Sequence, residues 1–457
     1  MRWRHSSLRV VWLVAGALLV PSVASAHLAL RRSAPAADAR IDAAPDAITL
    51  WFTQRPQLGF SRLALSGPTG DVALGALAAD TGNAIRATLP GALVPGTYTV
   101  RWQTASADGH PIRGEFRFSI AGSAAIGPPD TATATAAPPA AHVHEPAAEQ
   151  HREHAGYREV RWIEFAALMA ILGVIGFHHL VLPALASRGV ATTGAFHRAR
   201  RIGQLVLVPY ALAAGVRLFA EWRLMSDISG TASLAPLWGI VTGTTWGWGW
   251  LAGVGGALVV LGGWRLASAR RAGSTTLAAI GGLAMVVSPA LSGHAAAASP
   301  MALNVALDAS HVLMAGFWVG GLFIMLVAGL PAVLRDASAS GDVAVAALVN
   351  SFHPVALVAA PFVVLSGAGS AWLRLGSPAN LLGSAYGQTL LIKLVLVLCV
   401  AVLGVHNSAR ARRRLGTPET TRTFRVTAWA EVAIAALVLA VTTVLIVTPM
   451  PAQPMFP

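Results

Sequence analysis

Eight apolar stretches, each long enough to cross a lipid bilayer, follow one another from residue 160 to near the end of the chain. A bilayer-spanning helix needs about 20 predominantly apolar residues. Composition agrees, because charged residues make up only 12% of the chain, against about 25% in average soluble proteins. We therefore predict an all-α polytopic membrane domain of about eight transmembrane helices. The predicted helices cover 160–183, 203–222, 244–267, 275–293, 303–330, 353–373, 386–408 and 425–448.

Arginine is unevenly distributed among the loops between these stretches. The loops after the first, third and seventh stretches are rich in arginine, whereas those around 224–243, 294–302 and 374–385 are poor in it. Membrane proteins keep basic loops in the cytoplasm, so both ends of the mature chain should lie outside. The formal net charge of +13 is thus explained without nucleic acid, which we do not expect as a partner. The basic loop residues are Arg188, Arg198, Arg200, Arg201, Arg270, Arg271, Arg410, Arg412, Arg413 and Arg414.

The N-terminus has the pattern of an export leader. A basic segment with three arginines precedes the apolar stretch 10–20, and the small residues Ala-Ser-Ala at 24–26 form a cleavage signature. We predict a signal peptide over residues 1–26, which makes His27 the first residue of the mature chain. The alternative is an uncleaved anchor helix.

Residues 27–121 are predicted to form a small all-β domain. Apolar and polar residues alternate in short runs separated by glycine and proline, which favours half-buried antiparallel strands in a sandwich or barrel. Residues 122–156 are rich in Pro, Ala and His and predict a flexible linker. Its histidines either bind metal weakly or belong to a solvated tether. The membrane domain is predicted over 157–450, with a tail at 451–457. The predicted buried strand residues are Ile48, Leu50, Phe52, Tyr98, Val100, Trp102, Phe116, Phe118 and Ile120.

His27 becomes a two-nitrogen chelator if it begins the mature chain. Its α-amine and its imidazole can bind one metal ion once the amine has lost its proton. Asp108 and His110 add a carboxylate and a second imidazole two residues apart, on the same side of an extended chain. Mixed nitrogen and oxygen donors suit Cu(II), whereas Cu(I) prefers sulfur. The alternative interpretation of the segment 108–111 is a plain surface turn.

Ionisable residues at membrane depth are costly and therefore mark candidate functional positions. Asp308 and His311 are three residues apart on the fifth predicted helix and share a face. Together with His294, Lys393 and Glu164, they are predicted to form a copper path in the outer half of the membrane. Alternatively, the histidines only satisfy packing, and Glu164 and Lys393 only reach the interface. Groups nearer the inner half that could continue the path are His178, His179, His353, His406 and Glu431.

Residues 27–121 resemble the CopC copper-binding family. The likeness rests on the Ala-His start at 26–27, the strand PGTYTVRW at 95–102 and the segment SADGHP at 106–111. It implies a cupredoxin-like or immunoglobulin-like β-sandwich that holds Cu(II) with His27, Asp108 and His110. Many relatives have glutamate in an early Phe-Ser-Glu segment, where this chain has Gln54. A carboxylate ligand from that position is therefore missing.

Residues 160–450 resemble the CopD copper-resistance membrane family. The likeness is carried by SGHA at 292–295, DxxH at 308–311, WVGG at 318–321 and the Tyr-Gly pair at 386–387 ahead of Lys393. The whole chain thus looks like a CopC–CopD fusion. That resemblance implies Cu(II) binding in the periplasm and copper passage into or across a bacterial inner membrane. The implied partners are copper ion and the lipid bilayer, with periplasmic copper chaperones as candidate donors.

Other functions stay open at this stage. The chain has no P-loop and no phosphorylated-aspartate motif, and we predict that it is not an enzyme. One alternative is a membrane redox protein in which two histidines on neighbouring helices bind b-type haem. Another is a copper sensor or buffer without transport.

Overall fold

The computed structural model describes residues 28–89, 91, 93–105, 111–121, 147–229, 234–269, 271–297, 300–336, 341–411, 415 and 417–448. Within these ranges the chain forms two compact units, one with the strands and residues 220–247, the other with the remaining helices. We call the strand region the β domain and the helices from Ala147 onward the helical domain. The predicted signal peptide, most of the linker and the C-terminal tail lie outside the described residues.

The β domain is a sandwich of two sheets. Four strands form one sheet in the order β1-β3-β7-β6, and five form the other in the order β2-β9-β8-β4-β5. Neighbouring strands are antiparallel, except that β2 pairs with β9 in parallel. The strands are β1 Leu30–Ala34, β2 Arg40–Ile41, β3 Ala47–Phe52, β4 Arg62–Gly67, β5 Gly70–Val72, β6 Ala78–Asp80, β7 Ala84–Thr88, β8 Gly96–Ala105 and β9 Pro111–Ile120.

Side-chain alternation builds the core between the two sheets. Leu50 of β3 and Val100 of β8 are both fully buried, at 0% exposure. Phe52 and Trp102 meet edge to face with ring centroids 5.3 Å apart, which ties the two sheets together. The predicted buried set is confirmed, although Thr49 on the opposite face of β3 is buried as well. The described residues between 28 and 121 therefore form a β-sandwich, as predicted.

The helical domain contains eight helices that are long and apolar enough to cross a membrane, counted over the described residues. This confirms the predicted number. We refer to them as spans 1 to 8, in the order Gly156–Ala186, Thr193–Arg223, Thr245–Ser268, Ser274–Leu291, Met301–Arg335, Gly341–Leu375, Ala385–Ala409 and Pro418–Val447. The helical segments are Ala147–Gly176, Leu182–Ala186, Thr193–Ser229, Ala235–Gly243, Thr245–Ser268, Ser274–Leu291, His294–Ala297, Met301–Ala315, Gly321–Ile324, Leu330–Asp336, Gly341–Leu375, Asn380–Gly383, Ala385–His406 and Pro418–Val447.

Spans 2, 6 and 8 begin before the apolar stretches that predicted them. Span 8 starts at Pro418 because Thr417 caps it. The Thr417 side chain accepts a hydrogen bond from the backbone N–H of Thr420, and the Thr420 hydroxyl accepts one from the backbone N–H of Thr417. Span 6 carries Asp342 in its first turn, where a carboxylate favours the positive end of the helix dipole. Polar residues thus extend helices that hydropathy alone would end at the hydrocarbon boundary.

Span 1 lies at the centre of the helical domain, whereas span 7 is peripheral. In the most apolar 18-residue stretch of span 1, 83% is buried, whereas in the corresponding stretch of span 7 only 11% is buried. Spans 1 and 5 cross closely at Gly173 and Gly320, where a Cβ on Gly173 would collide with the Gly320 backbone. Four stretches of the spans have π-helical hydrogen bonding: Phe177–Val181, Gly316–Gly320, Met325–Gly329 and Asn407–Ala411.

Candidate functional site

The predicted soluble copper ligands His27, Asp108 and His110 lie outside the described residues. The described segments next to His27 and next to residues 106–110 both contact the loop 53–57. Thr53 donates its backbone N–H to the Ala29 carbonyl at 2.9 Å, and its hydroxyl accepts from the Ala29 N–H at 2.9 Å.

The same loop reaches the hairpin that flanks residues 106–110. Ala105 and Pro111 form the last pair of β8 and β9, and the backbone N–H of Gln57 donates to the Ala105 carbonyl at 3.0 Å. The loop 53–57 therefore links the start of the described chain to the end of the β8–β9 hairpin.

In the helical domain, Asp308 of span 5 is held by two residues of span 6. Arg374 donates to its Oδ2 at 2.5 Å, and the Ser370 hydroxyl donates to its Oδ1 at 3.0 Å. The side chains of Arg374 and Asp308 are 25% and 24% exposed. Arg374 also makes a side-chain hydrogen bond with Tyr386 of span 7. One arginine therefore joins three spans around the Asp308 carboxylate.

His311 contacts span 6 one turn further along span 5. Its Nδ1 lies 3.1 Å from the Ser366 hydroxyl, and its ring packs against the position of Gly367. Asp308 and His311 therefore face the same neighbour, as their three-residue spacing predicts. Lys393 of span 7 interacts electrostatically with His311 and with Asp308. Three of the five predicted path residues thus share one polar group between spans 5, 6 and 7.

Glu164 belongs to a different polar group. Its Oε2 accepts from Arg161 at 2.8 Å and its Oε1 accepts from Arg217 of span 2 at 2.6 Å. The three side chains are 5%, 3% and 1% exposed. Arg217 also donates to the Ser292 hydroxyl at 3.3 Å. His294 opens a short helix two residues after Ser292, and its side chain lies outside the described set.

Several of the inner-half residues are engaged with protein oxygen atoms. His178 and His179 place Nε2 at 3.3 Å and 3.1 Å from the backbone carbonyls of Phe196 and Thr275. Nδ1 of His353 lies 3.0 Å from the Ser408 hydroxyl. These contacts tie the imidazoles to neighbouring helices.

The polar groups do not form a closed metal cage in the part of the chain that the structure describes. No group of three or more His, Cys, Asp or Glu side chains there is arranged to hold one metal ion. Structural metal sites, by contrast, surround the ion with protein ligands. Both oxygens of Asp308 and both oxygens of Glu164 are already occupied by donors. A cation that approached either carboxylate would meet an arginine already paired with it.

Sequence reasoning missed the three arginines that pair with these carboxylates, Arg161, Arg217 and Arg374. Arg217 lies inside an apolar stretch, and its charge at membrane depth was a visible signal. Arg374 stands at the end of the sixth stretch, where it is indistinguishable from an interfacial residue. Its pairing with Asp308 depends on the folded helices, since the two are separated by 66 positions in the sequence.

Comparison with known families matches three parts of the chain. Residues 30–121 match the CopC domain. Residues 153–303 match the N-terminal domain of copper resistance protein D-like proteins, and residues 346–445 match copper resistance protein D, CopD.

Three similar proteins follow: the names of CutJ and PcoC refer to copper, and that of YobA does not. The copper transport protein CutJ of Bacillus subtilis is 26% identical over 461 residues, which cover 97% of this chain and 78% of that protein. Protein YobA of Escherichia coli K12 is 39% identical over 107 residues, covering 22% of this chain and 85% of YobA. The crystal structure of PcoC, a methionine-rich copper resistance protein from Escherichia coli, aligns at 30% identity with a TM-score of 0.20, covering 21% of this chain and 99% of that one.

Proposed function

The chain belongs to the copper resistance and transport family that joins CopC and CopD domains, and from this premise we propose that it binds Cu(II) outside the membrane and passes copper into or across it. The β domain is proposed to lie in the periplasm and the eight spans in the bacterial inner membrane. His27, Asp108 and His110 are proposed as the Cu(II) ligands. Copper is then the cargo of the membrane domain.

The β-domain part of the proposal is supported by one observation. The loop 53–57 holds both the segment that follows His27 and the hairpin end that flanks residues 106–110. A chain start and a hairpin end that share one loop can supply ligands to one ion. The donor types, amine, imidazole and carboxylate, suit Cu(II).

A test of this site uses the full mature chain. One alanine added before His27 moves the α-amine away from its imidazole and removes one chelating nitrogen. We expect Cu(II) affinity to fall by about tenfold or more, measured by titration with a competing chelator. One alanine added after Asp130, in the linker, is the matched control. Unchanged affinity for the first variant would exclude the amine as a ligand.

The membrane part of the proposal is supported by the group formed by Asp308, His311 and Lys393. Ionisable side chains in membrane helices cluster around pathways and sites, and here three spans contribute to one cluster. The imidazole of His311 is the donor in this group best suited to copper. The arginine paired with Asp308 repels a cation from this carboxylate, in keeping with transient rather than permanent binding.

Radioactive copper uptake into liposomes containing the full chain tests the membrane part. We expect His311→Ala to slow copper flux by about tenfold or more, since it removes the imidazole donor. His197→Ala is the matched control because His197 is exposed at the start of span 2. Equal flux in wild type and His311→Ala would argue against His311 as a residue that binds copper during its passage. No flux in wild type would argue against transport and for binding alone.

A further inference from the structure

Glu431 is a buried carboxyl in span 8 that copper binding does not account for. It is 4% exposed, and its position is near the middle of the helix Pro418–Val447. Asn407 donates its amide Nδ2 to Glu431 Oε2 at 3.1 Å. The indole of Trp318 in span 5 lies beside the same carboxyl, next to Gly404, and is the second polar side chain that interacts with it. Both partners are neutral donors.

The two donors come from π-helical stretches. Trp318 lies in Gly316–Gly320 and Asn407 lies in Asn407–Ala411. Single π-helical turns inside α-helices occur frequently at functional sites. The Thr427 hydroxyl, one turn before Glu431, donates to Asn407 Oδ1 at 2.6 Å. This bond orients the Asn407 amide so that its N–H points at the carboxyl.

No cation pairs with Glu431 among the side chains that the structure describes, a set that leaves out Arg410 of the neighbouring stretch Asn407–Ala411. Span 8 packs against span 7, the stretch Asn407–Ala411 and parts of spans 5 and 6. Glu164 and Asp308, by contrast, are each paired with arginine.

The titratable groups on the packed elements are engaged elsewhere or exposed. Asp342 accepts from Thr421 at 2.8 Å and His353 contacts Ser408, while Arg374 and Lys393 lie with Asp308. The exposed or differently placed groups are His406 and Cys399 of span 7, Arg335 of span 5, and Glu419, Arg422 and Arg425 of span 8 itself.

An ionised carboxylate without a cation is expensive in a low-dielectric interior, and such a group neutralises by taking up a proton. Neutral amide and indole donors can bond to either form of the acid. We propose that Glu431 binds and releases a proton within the membrane, and that this exchange is coupled to copper movement. The step is carboxylate plus proton giving carboxylic acid, with no electron transfer. The coupling rests on the copper passage proposed above.

Span 5 connects the two sites physically. Trp318 is seven residues beyond His311 on the same span, which is about 10 Å along a helix at 1.5 Å per residue. A proton that arrives at Glu431 changes the acceptor of the Trp318 indole. Copper bound at His311 would contact the same span, seven residues before Trp318. One helix, span 5, thus carries both His311 and the Trp318 neighbour of Glu431, with Trp318 inside the π-helical stretch 316–320.

The test uses the full chain in liposomes that contain a pH-sensitive dye, with radioactive copper flux recorded in parallel. In wild type we expect copper movement to be accompanied by proton movement. In Glu431→Gln we expect loss of the proton movement and loss of the response of copper flux to an imposed pH gradient. Glu419→Gln is the matched control, because it removes an exposed glutamate from the same helix. Copper flux without proton movement in wild type would overturn the coupling and leave the proposed function intact.

A second measurement decides proton binding even if copper flux is absent. Infrared difference spectra of wild type between acid and alkaline buffer contain bands from every carboxyl group that titrates, and one of these bands, shifted in heavy water, should belong to Glu431. The band should be missing in Glu431→Gln and present in Glu419→Gln. Spectra that are identical in wild type and Glu431→Gln would refute the proton site. Should Glu431→Gln fail to fold, Glu431→Asp keeps the titrating group and should shift the band.

Discussion

Glu164 and Glu431 are the same residue type, each 4% exposed within the membrane domain, yet their surroundings differ. Glu164 lies between Arg161 and Arg217, with both oxygens in ion pairs. Glu431 accepts a hydrogen bond from an amide and lies beside an indole, and both are neutral. Burial is therefore equal, and the partner set alone separates them. Arginine partners fix the charge of a carboxylate, whereas neutral partners leave it able to change.

The consequence concerns stability as well as function. A buried ion pair stabilises little relative to an apolar replacement, but removal of one partner leaves an uncompensated charge. When a buried acid has only neutral partners, its replacement by a neutral side chain leaves no unpaired charge behind. Identical substitutions at the two glutamates should consequently have different effects.

Glu164→Gln should be the most destabilising of the changes considered. It leaves Arg161 and Arg217 facing each other, both almost fully buried. We expect the free energy of unfolding to fall by about 3–5 kcal/mol, measured by denaturant titration in detergent micelles. Glu159→Gln is the matched control, since Glu159 is exposed on the same helix. Equal stability of the two variants would show that the arginines are compensated by other groups.

Asp308→Asn should have an intermediate effect. Asp308 and Arg374 are about one-quarter exposed, so water partly compensates the loss of the ion pair. We expect a loss of about 2 kcal/mol, typical of a hydrogen bond to a charged group. The double variant Asp308→Asn with Arg374→Gln should recover part of this loss, because no unpaired guanidinium is left. Strict additivity of the two single losses would mean that the pair is not coupled.

The fold was largely predictable because its strongest determinants are local. Apolar runs of bilayer length can only be buried as membrane helices, and alternation along β3 and β8 fixed which side chains face the sandwich core. Helix ends were less predictable. Thr417 and Asp342 extend their helices through capping and dipole effects, which hydropathy does not register.

The candidate sites were only partly predictable, because their partners are distant in sequence. The spacing of Asp308 and His311 correctly placed them on one helix face. Their contacts with Arg374 and Ser366 come from a different span and arise only when the helices pack. The importance of Glu431 depends on Trp318 and Asn407, which lie in π-helical stretches. A π-helical turn shifts side-chain direction, and no periodicity in the sequence signalled it.

Asn407→Leu tests the comparison of the two glutamates by removing a neutral donor to Glu431. It removes the donor to Glu431 and the acceptor for Thr427, at similar side-chain size. We expect a loss of about 1–2 kcal/mol from the unsatisfied groups. The carboxyl band of Glu431 should also shift in frequency, since one hydrogen bond is lost. Thr442→Val, which removes only a bond to a backbone carbonyl, should leave that band in place.

Glu431→Gln should change stability least. Glutamine has the shape of the protonated acid, its amide oxygen can accept from Asn407 or Trp318, and the substitution leaves no charge without a partner. We expect the free energy of unfolding to stay within about 1 kcal/mol of wild type, measured in the same titration as Glu164→Gln. The proton response should nevertheless be lost. If Glu431→Gln proves as destabilising as Glu164→Gln, then Glu431 has a charged partner in the folded protein, and the contrast between the two glutamates does not hold.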